Sequence, residues 1–300
     1  MFGKHRTVSL EITPTRFRLI ELQVSSRSSI LTKAVDVERS ACGGNGKDHA
    51  AAANELRELL QSNGIRPGYV RIVFDAQPVS VTTLSVSRSR VDEMSDGSLW
   101  FGEKHSPIPG DRASVNCRIC EGKSKDAVTV ILVATDKHKV NDVLSVLNAA
   151  RIKVSKMDIV PFALERLYLR QVNHKDAKMA AVVGLGETNV SVLMLNGSST
   201  QFVRYFRIFP NMDRKDFVER LKHTFRGYCD QYPLSVIEKI YLYRMADIFP
   251  SIEVEVKKTI GVEVMLLDPI AGITIQNAGE ASGSWGIGLN SLAPLVGAAL

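Results

Sequence analysis

Residues 8–22 read VSLEITPTRFRLIEL, and a stretch of the same shape returns at 182–197 as VVGLGETNVSVLMLNG. Each copy runs as an apolar-rich strand, breaks at a short turn of Gly, Thr or Pro, and resumes as a second strand. Two such hairpins, one early in each half of 300 residues, predict a duplicated chain of about two domains with room for a large core.

Working outward from the first hairpin, residues 30–38 read as a third strand and GGNG at 43–46 as a loop. A helix is expected over 49–63, with Ala52, Leu56, Leu59 and Leu60 inward and Gly64 as its stop. YVRIVFD at 69–75 has the unbroken apolar character of a buried strand. The composition then changes. Residues 79–87 alternate as a strand, 88–112 are polar and rich in Ser, Gly and Pro, and RASVNCRIC is another strand. AVTVILVAT at 127–135 reads as a central strand. The helix expected from 137 to 150 turns Val140, Val143, Leu144 and Leu147 inward. Residues 79–154 therefore read as a compact α+β insert.

A strand at 152–160 leads to Pro161, which opens the helix PFALERLYLRQ, and HKDAK at 174–178 is a linker. Beyond the second hairpin, FVRYFRIF is a third strand. Asp213 or Asn211 caps a helix with the stripe Phe217, Leu221, Phe225 and Tyr228. Strands at 236–244 and 262–268, a Gly/Ser-rich segment at 279–288 and a short final helix complete the chain.

Composition excludes several classes. No run of 18 apolar residues crosses a membrane, and the opening MFGKHRTVSLEI enters strand alternation without an apolar targeting stretch. The net charge of +6 has no dense basic block, so a solvated surface is the expectation. The four cysteines include the pair Cys117 and Cys120 in CRIC. One CxxC without a second pair or nearby His is a poor zinc signal, and strand alternation puts the two thiols on opposite faces. Free thiols in a reducing cytoplasm follow. His49, His138, His174 and His223 have no acid or nucleophile partners in sequence, so no triad or metal cluster is expected.

The paired hairpins and their spacing resemble the actin-like ATPases of type IV pilus assembly, the PilM-like branch related to FtsA. The motif "GIDIGSSSVKLVEL" aligns without a gap on 9–22, and "VVDIGATSTNISVLRNG" falls on 182–197 with a slight offset. The resemblance implies an α/β fold that is two-lobed, actin-like (ribonuclease H-like) and duplicated, with the small α+β subdomain inserted in the first lobe. Residues 1–78, 155–178 and 289–300 would form that lobe, 79–154 the insert, and 179–288 a second lobe with a reduced upper subdomain. The nucleotide-side positions would be Glu11, Thr13, Thr15 and Arg18, then Gly186, Glu187 and Thr188, then Gly286.

Those positions are degenerate. The first acid is Glu11 and the second is Gly184, which offers no carboxylate. Thr13 replaces a glycine, Pro14 removes an N–H, and YRMADIFP stands where a diglycine is usual. Phosphate cradles need free backbone N–H groups, and magnesium needs well-placed oxygen ligands. The expectation is therefore a fold without ATP hydrolysis and no cofactor, ATP with magnesium being the minority reading. The resemblance implies a scaffold, cytoplasmic and peripheral to the inner membrane, of a pilus or related secretion platform. Its partner would be the N-terminal cytoplasmic tail of a PilN-like bitopic protein, beside other platform components and self-association. The 79–87 strand, the Cys117–Cys120 strand and the 137–149 helix are the candidate groove. Two alternatives stand beside it: an active actin-like ATPase or filament former, and a protein binding anionic membrane or nucleic acid.

Overall fold

The structure is a computed structural model. It describes residues 5–25, 28–39, 49–66, 68–74, 79–91, 108–121, 126–173, 179–209, 211–233, 235–246, 248–276 and 288–300. The chain divides into two compact units: 1–77, 137–167 and 269–300 form the first, and 78–136 with 168–268 the second.

In the first unit, β1 (His5–Ile12) and β2 (Arg16–Val24) are the antiparallel hairpin expected of 8–22. β3 (Ser29–Glu38) adds antiparallel to β2, with a register shift at Glu21/Leu22. α1 (His49–Ser62) buries Ala52, Ala53, Leu56 and Leu60. Gly64 at φ 66° ends it by letting the Ile65 N–H return to the Leu60 carbonyl at 2.8 Å. β4 (Tyr69–Phe74) runs parallel to β1, and β8 (Lys153–Ile159) parallel to β4. β14 (Ile273–Ile275) closes the other side, giving the order β14-β3-β2-β1-β4-β8.

Helix α2 (Lys137–Ala149) packs beside α1, with His49 Nε2 at 3.4 Å from Asp142. Its buried residues are Val143, Val146 and Leu147; Val140 and Leu144 stay half-buried. α3 (Val160–Gln171) follows β8 directly. α6 (Ala293–Ala299) packs on β1, β2 and β4, and all its residues through Ala299 are buried. Gly297 makes that docking possible: a Cβ there would lie 1.9 Å from the Ala163 carbonyl oxygen.

In the second unit, β9 (Met179–Leu185), β10 (Asn189–Asn196) and β11 (Ser199–Arg207) form a meander. β12 (Lys239–Arg244) and β13 (Glu263–Leu266) add in parallel, giving β11-β10-β9-β12-β13. The order and directions repeat those of β3-β2-β1-β4-β8. α4 (Arg214–Gln231) starts at Asp213, whose carboxylate accepts the Asp216 N–H at 2.8 Å, and buries Phe217, Leu221, Phe225 and Tyr228. Periodicity did not mark α5 (Ile252–Ile260), because IEVEV alternates like a strand; Gly261 at φ 78° stops it.

The second unit also holds a three-stranded sheet of β5 (Val79–Ser87), β6 (Ala113–Glu121) and β7 (Ala127–Asp136), with β7 central. Cys117 packs against Val86, Val128, Val130 and Leu132, while Cys120, three residues on, faces the other side; neither is in a disulfide. The Val203 N–H of β11 donates to Thr83 Oγ1 of β5 at 3.1 Å, so this sheet packs against the meander's edge. The compact units thus divide 79–154 at Asp136/Lys137, with the strands in the second unit and α2 in the first.

Candidate functional site

The first hairpin turn is closed by its own groups. The Thr13 N–H donates to the Arg16 carbonyl at 3.0 Å, and the Arg16 N–H to Thr13 Oγ1 at 2.9 Å. Pro14 has no N–H to give. The Thr15 carbonyl accepts the Arg39 N–H at 2.8 Å, and the Arg39 guanidinium donates to the Thr13 carbonyl at 2.7 Å while lying 5.0 Å over the Phe17 ring. A phosphate cradle requires backbone donors pointing outward. Here the donors at Thr13 and Arg16 close the hairpin.

Glu11 is equally committed. It stands opposite Arg18 across β1 and β2, and Arg18 stands opposite Asp36 across β2 and β3. Arg18 Nη1 lies 3.4 Å from Glu11 Oε2, and Arg18 Nε lies 3.2 Å from Asp36 Oδ2. Arg16 adds a 2.7 Å bond to Asp36 Oδ1. The three strands thus carry a nearly buried row of alternating charge, and a cross-strand guanidinium occupies the carboxylate a metal would need. Asp36 and Arg39 were not marked in the sequence, because their placement depends on strand register and on the shift at Glu21/Leu22.

The second turn, in the other unit, is likewise self-satisfied. The Gly186 N–H donates to the Asn189 carbonyl at 2.9 Å, and Asn189 Nδ2 donates to Thr188 Oγ1 at 2.9 Å. The Thr188 carbonyl accepts the Ile208 N–H at 2.7 Å, and Glu187 and Thr188 are exposed. Past β12, the N–H groups of Met245 and Ala246 both donate to the Leu185 carbonyl, at 2.9 and 3.1 Å. Met245 lays its Cε 3.5 Å from where a Gly186 side chain would begin. A methionine thus covers this turn where the related motif carries glycines.

Gly184 pairs with Ser191 on β10 and Tyr243 on β12. The Ser191 hydroxyl is fully buried and has no hydrogen-bond partner among the described residues. The Tyr243 hydroxyl donates to Gln171 Oε1 at 2.8 Å, and Gln171 Nε2 donates to the Asp268 carbonyl at 2.7 Å. Burial, with a smaller contribution from Tyr168, pushes the Tyr243 phenol far above the ordinary tyrosine range.

Glu11, Thr13, Thr15 and Arg18 therefore share one hairpin in the first unit, and Gly186, Glu187 and Thr188 share one turn in the second. Gly286 and Cys42 lie outside the described residues. No group of three His, Cys, Asp or Glu residues among the described residues is arranged to hold a metal. At these turns the N–H groups of Thr13, Arg16 and Gly186 are used within the hairpins, Glu11 is ion-paired with Arg18, and residue 184 is glycine.

Residues 114–207, from β6 through β11, match the family model described as "Type IV pilus assembly protein PilM". That match includes the second hairpin at 182–197 and agrees with the PilM-like resemblance; the first hairpin lies outside it. No curated protein matches the sequence. Among solved structures, the chain is similar to a "PilM-PilN type IV pilus biogenesis complex", with TM-score 0.76 and 19% identity over 99% of this chain and 98% of that one. It is also similar to a Bacteroides thetaiotaomicron protein with an actin-like ATPase fold and unknown function, with TM-score 0.55 and 12% identity over 97% and 96%. The cytoplasmic domain of EpsL, an inner-membrane component of the Vibrio cholerae type II secretion system, follows with TM-score 0.51 and 9% identity over 97% and 94%. At these identities the likeness establishes an actin-like α/β fold.

Proposed function

We propose that this PilM-like chain is a cytoplasmic scaffold of a type IV pilus or related secretion platform, peripheral to the inner membrane. On this reading it holds the cytoplasmic tail of a PilN-like bitopic protein and does not hydrolyse ATP. One observation carries the reading: both phosphate-side turns are closed by their own hydrogen bonds and ion pairs, while the strand order of both sheets is kept. Selection that discards the ligand and keeps the fold points to a surface as the asset. The likeness to the PilM-PilN complex supports PilN-type chemistry for that surface. No helix among the described residues is long and apolar enough to cross a membrane, which agrees with attachment through a partner.

The architecture on this reading is two-lobed and duplicated, with the small subdomain inserted in the first lobe. The repeated strand order supports the duplication. Within the second unit, β5 and β6 are the candidate tail-binding elements. β6 is an edge strand with Ile119 46% exposed, suited to an extended tail bound through its backbone and alternate side-chain pockets.

Isothermal titration tests this. A synthetic N-terminal tail of the neighbouring bitopic protein should bind saturably in the absence of nucleotide, and Mg–ATP should give no binding heat. Tight Mg–ATP binding would return the ATPase reading to first place; a tail that does not bind would remove the scaffold reading.

A further inference from the structure

The two sheets end on topologically equivalent strands with opposite chemistry. β8 lies parallel to β4 at the edge of the first sheet, and β13 lies parallel to β12 at the edge of the second. An open edge presents unpaired N–H and C=O groups, and charged side chains, Lys above all, usually guard it. β8 follows that rule, with Lys153 and Lys156 exposed along KVSKMDI. β13 breaks it. After the exposed Glu263 at its start, its sequence is apolar from Val264 through Leu267, a run of the kind found in strands covered on both faces. Met265 is 40% exposed and Leu266 48%, and neighbouring residues on a strand point to opposite faces. Val254, on the adjoining helix α5, is 66% exposed.

Helix α5 supplies a matching charge pattern. Glu255 lies 3.8 Å from Arg214 of α4, which fixes the side of α5 that faces its neighbouring helix. Ile252 and Val256 point into the core. At about 100° per residue, Glu253 and Lys257 therefore lie together on the side away from α4. The helix is acidic in its first turn and basic in its last. An antiparallel copy of the same helix would set each Glu253 against the other copy's Lys257.

We propose that β13 is a self-association edge. Two copies pair their β13 strands antiparallel about a two-fold axis normal to the sheet, so that the second sheet runs continuously through both molecules. That axis places both α5 helices on the same face, antiparallel and adjacent. Met265 and Leu266 gain a neighbouring strand, and two reciprocal Glu253–Lys257 pairs form, as an isologous interface requires. The occupant is a second copy because a strand edge and an end-to-end charge pattern are both self-complementary under this one operation. The inference stands apart from the tail-binding surface and does not depend on it.

Sedimentation of the full chain from micromolar to submillimolar concentration is the test. The expected result is a dimer that dissociates on dilution. Met265→Lys, at an exposed position, should leave the melting curve of the monomer intact and abolish the dimer. Glu253→Lys or Lys257→Glu alone should weaken self-association by about tenfold, since each acts at both symmetric pairs. Mixing the two variants should regain a heterodimer, because one copy then presents two cations and the other two anions. An effect confined to one helix cannot produce that recovery. A wild-type chain that stays monomeric throughout, a dimer indifferent to Met265→Lys, or a mixture with no heterodimer would each overturn the proposal.

Discussion

Gly297→Ala should be among the most damaging single-methyl additions in the chain. The added Cβ would meet the Ala163 carbonyl oxygen at 1.9 Å and its carbonyl carbon at 2.6 Å, whereas ordinary contact begins at 3.4 Å. Both atoms are backbone, so no side chain can swing aside. Helices α3 and α6 would have to separate by about 1.5 Å. That movement strains two further contacts at the end of α6. Arg166 Nε donates to the Gly297 carbonyl and Arg71 Nη1 to the Ala298 carbonyl, both at 2.8 Å. Overpacking alone costs about 1–3 kcal/mol, and weakening two charge-assisted bonds brings the expected loss to about 3–5 kcal/mol. The melting temperature should fall by roughly 6 °C or more. Gly227→Ala is the internal control. It lies on α4, where a Cβ meets nothing within 4 Å, and the same substitution there should stabilise by about 0.5–1 kcal/mol. Urea unfolding of both variants checks the pair. A Gly297→Ala protein within about 1 kcal/mol of wild type would refute the claim that α6 docks by close backbone approach.

Three other outcomes follow from the same geometry. Arg18→Met removes the cation shared by Glu11 and Asp36, whose side chains are 8% and 9% exposed, and should cost about 3 kcal/mol in urea unfolding. Adding Glu11→Leu should recover much of that loss; strictly additive losses would sink the idea of a coupled row. Because burial raises the folded-state pKa of Tyr243, its contribution is fully present below the unfolded tyrosine value of about 10 and is lost as pH rises beyond it. Tyr243→Phe should therefore flatten the alkaline fall in stability, and an unchanged slope between mildly and strongly alkaline pH would refute the assignment. Asp213→Ala should lower stability by about 1 kcal/mol through loss of the α4 cap, with Asp213→Ser retaining most of it; equal losses in both would count against capping.

How much of this was legible beforehand depends on how local each feature is. The hairpins at 8–22 and 182–197, the central strand at 127–135, the Asp213 cap and the buried stripe of α4 all rest on period-2 alternation, 3.6-residue periodicity or turn chemistry within a few residues. Helix α5 was missed because IEVEV satisfies the strand period as well as it fills a short helix. The inward face expected of α2 shifted from Val140 and Leu144 toward Val146, since its rotation is set by what it packs on.

The degeneracy of the candidate site could be read directly, because a missing carboxylate at Gly184 and a missing N–H at Pro14 are properties of single residues. What those positions bond to in the fold could not. The Glu11–Arg18–Asp36 row depends on the register of three strands, Met245 reaches Gly186 across the sheet, and Tyr243 finds Gln171 72 residues away. Residue identity and local period therefore determined the repeated hairpins, most of the elements, the absence of a carboxylate at 184 and the absence of an N–H at 14. Tertiary structure alone decided which groups close those turns, why residue 297 must be glycine, and that, among the described residues, one sheet ends on a strand with exposed lysines while the other ends on a strand with Met265 and Leu266 exposed. Each of these depends on contacts between distant segments, and a linear pattern carries no distance between them.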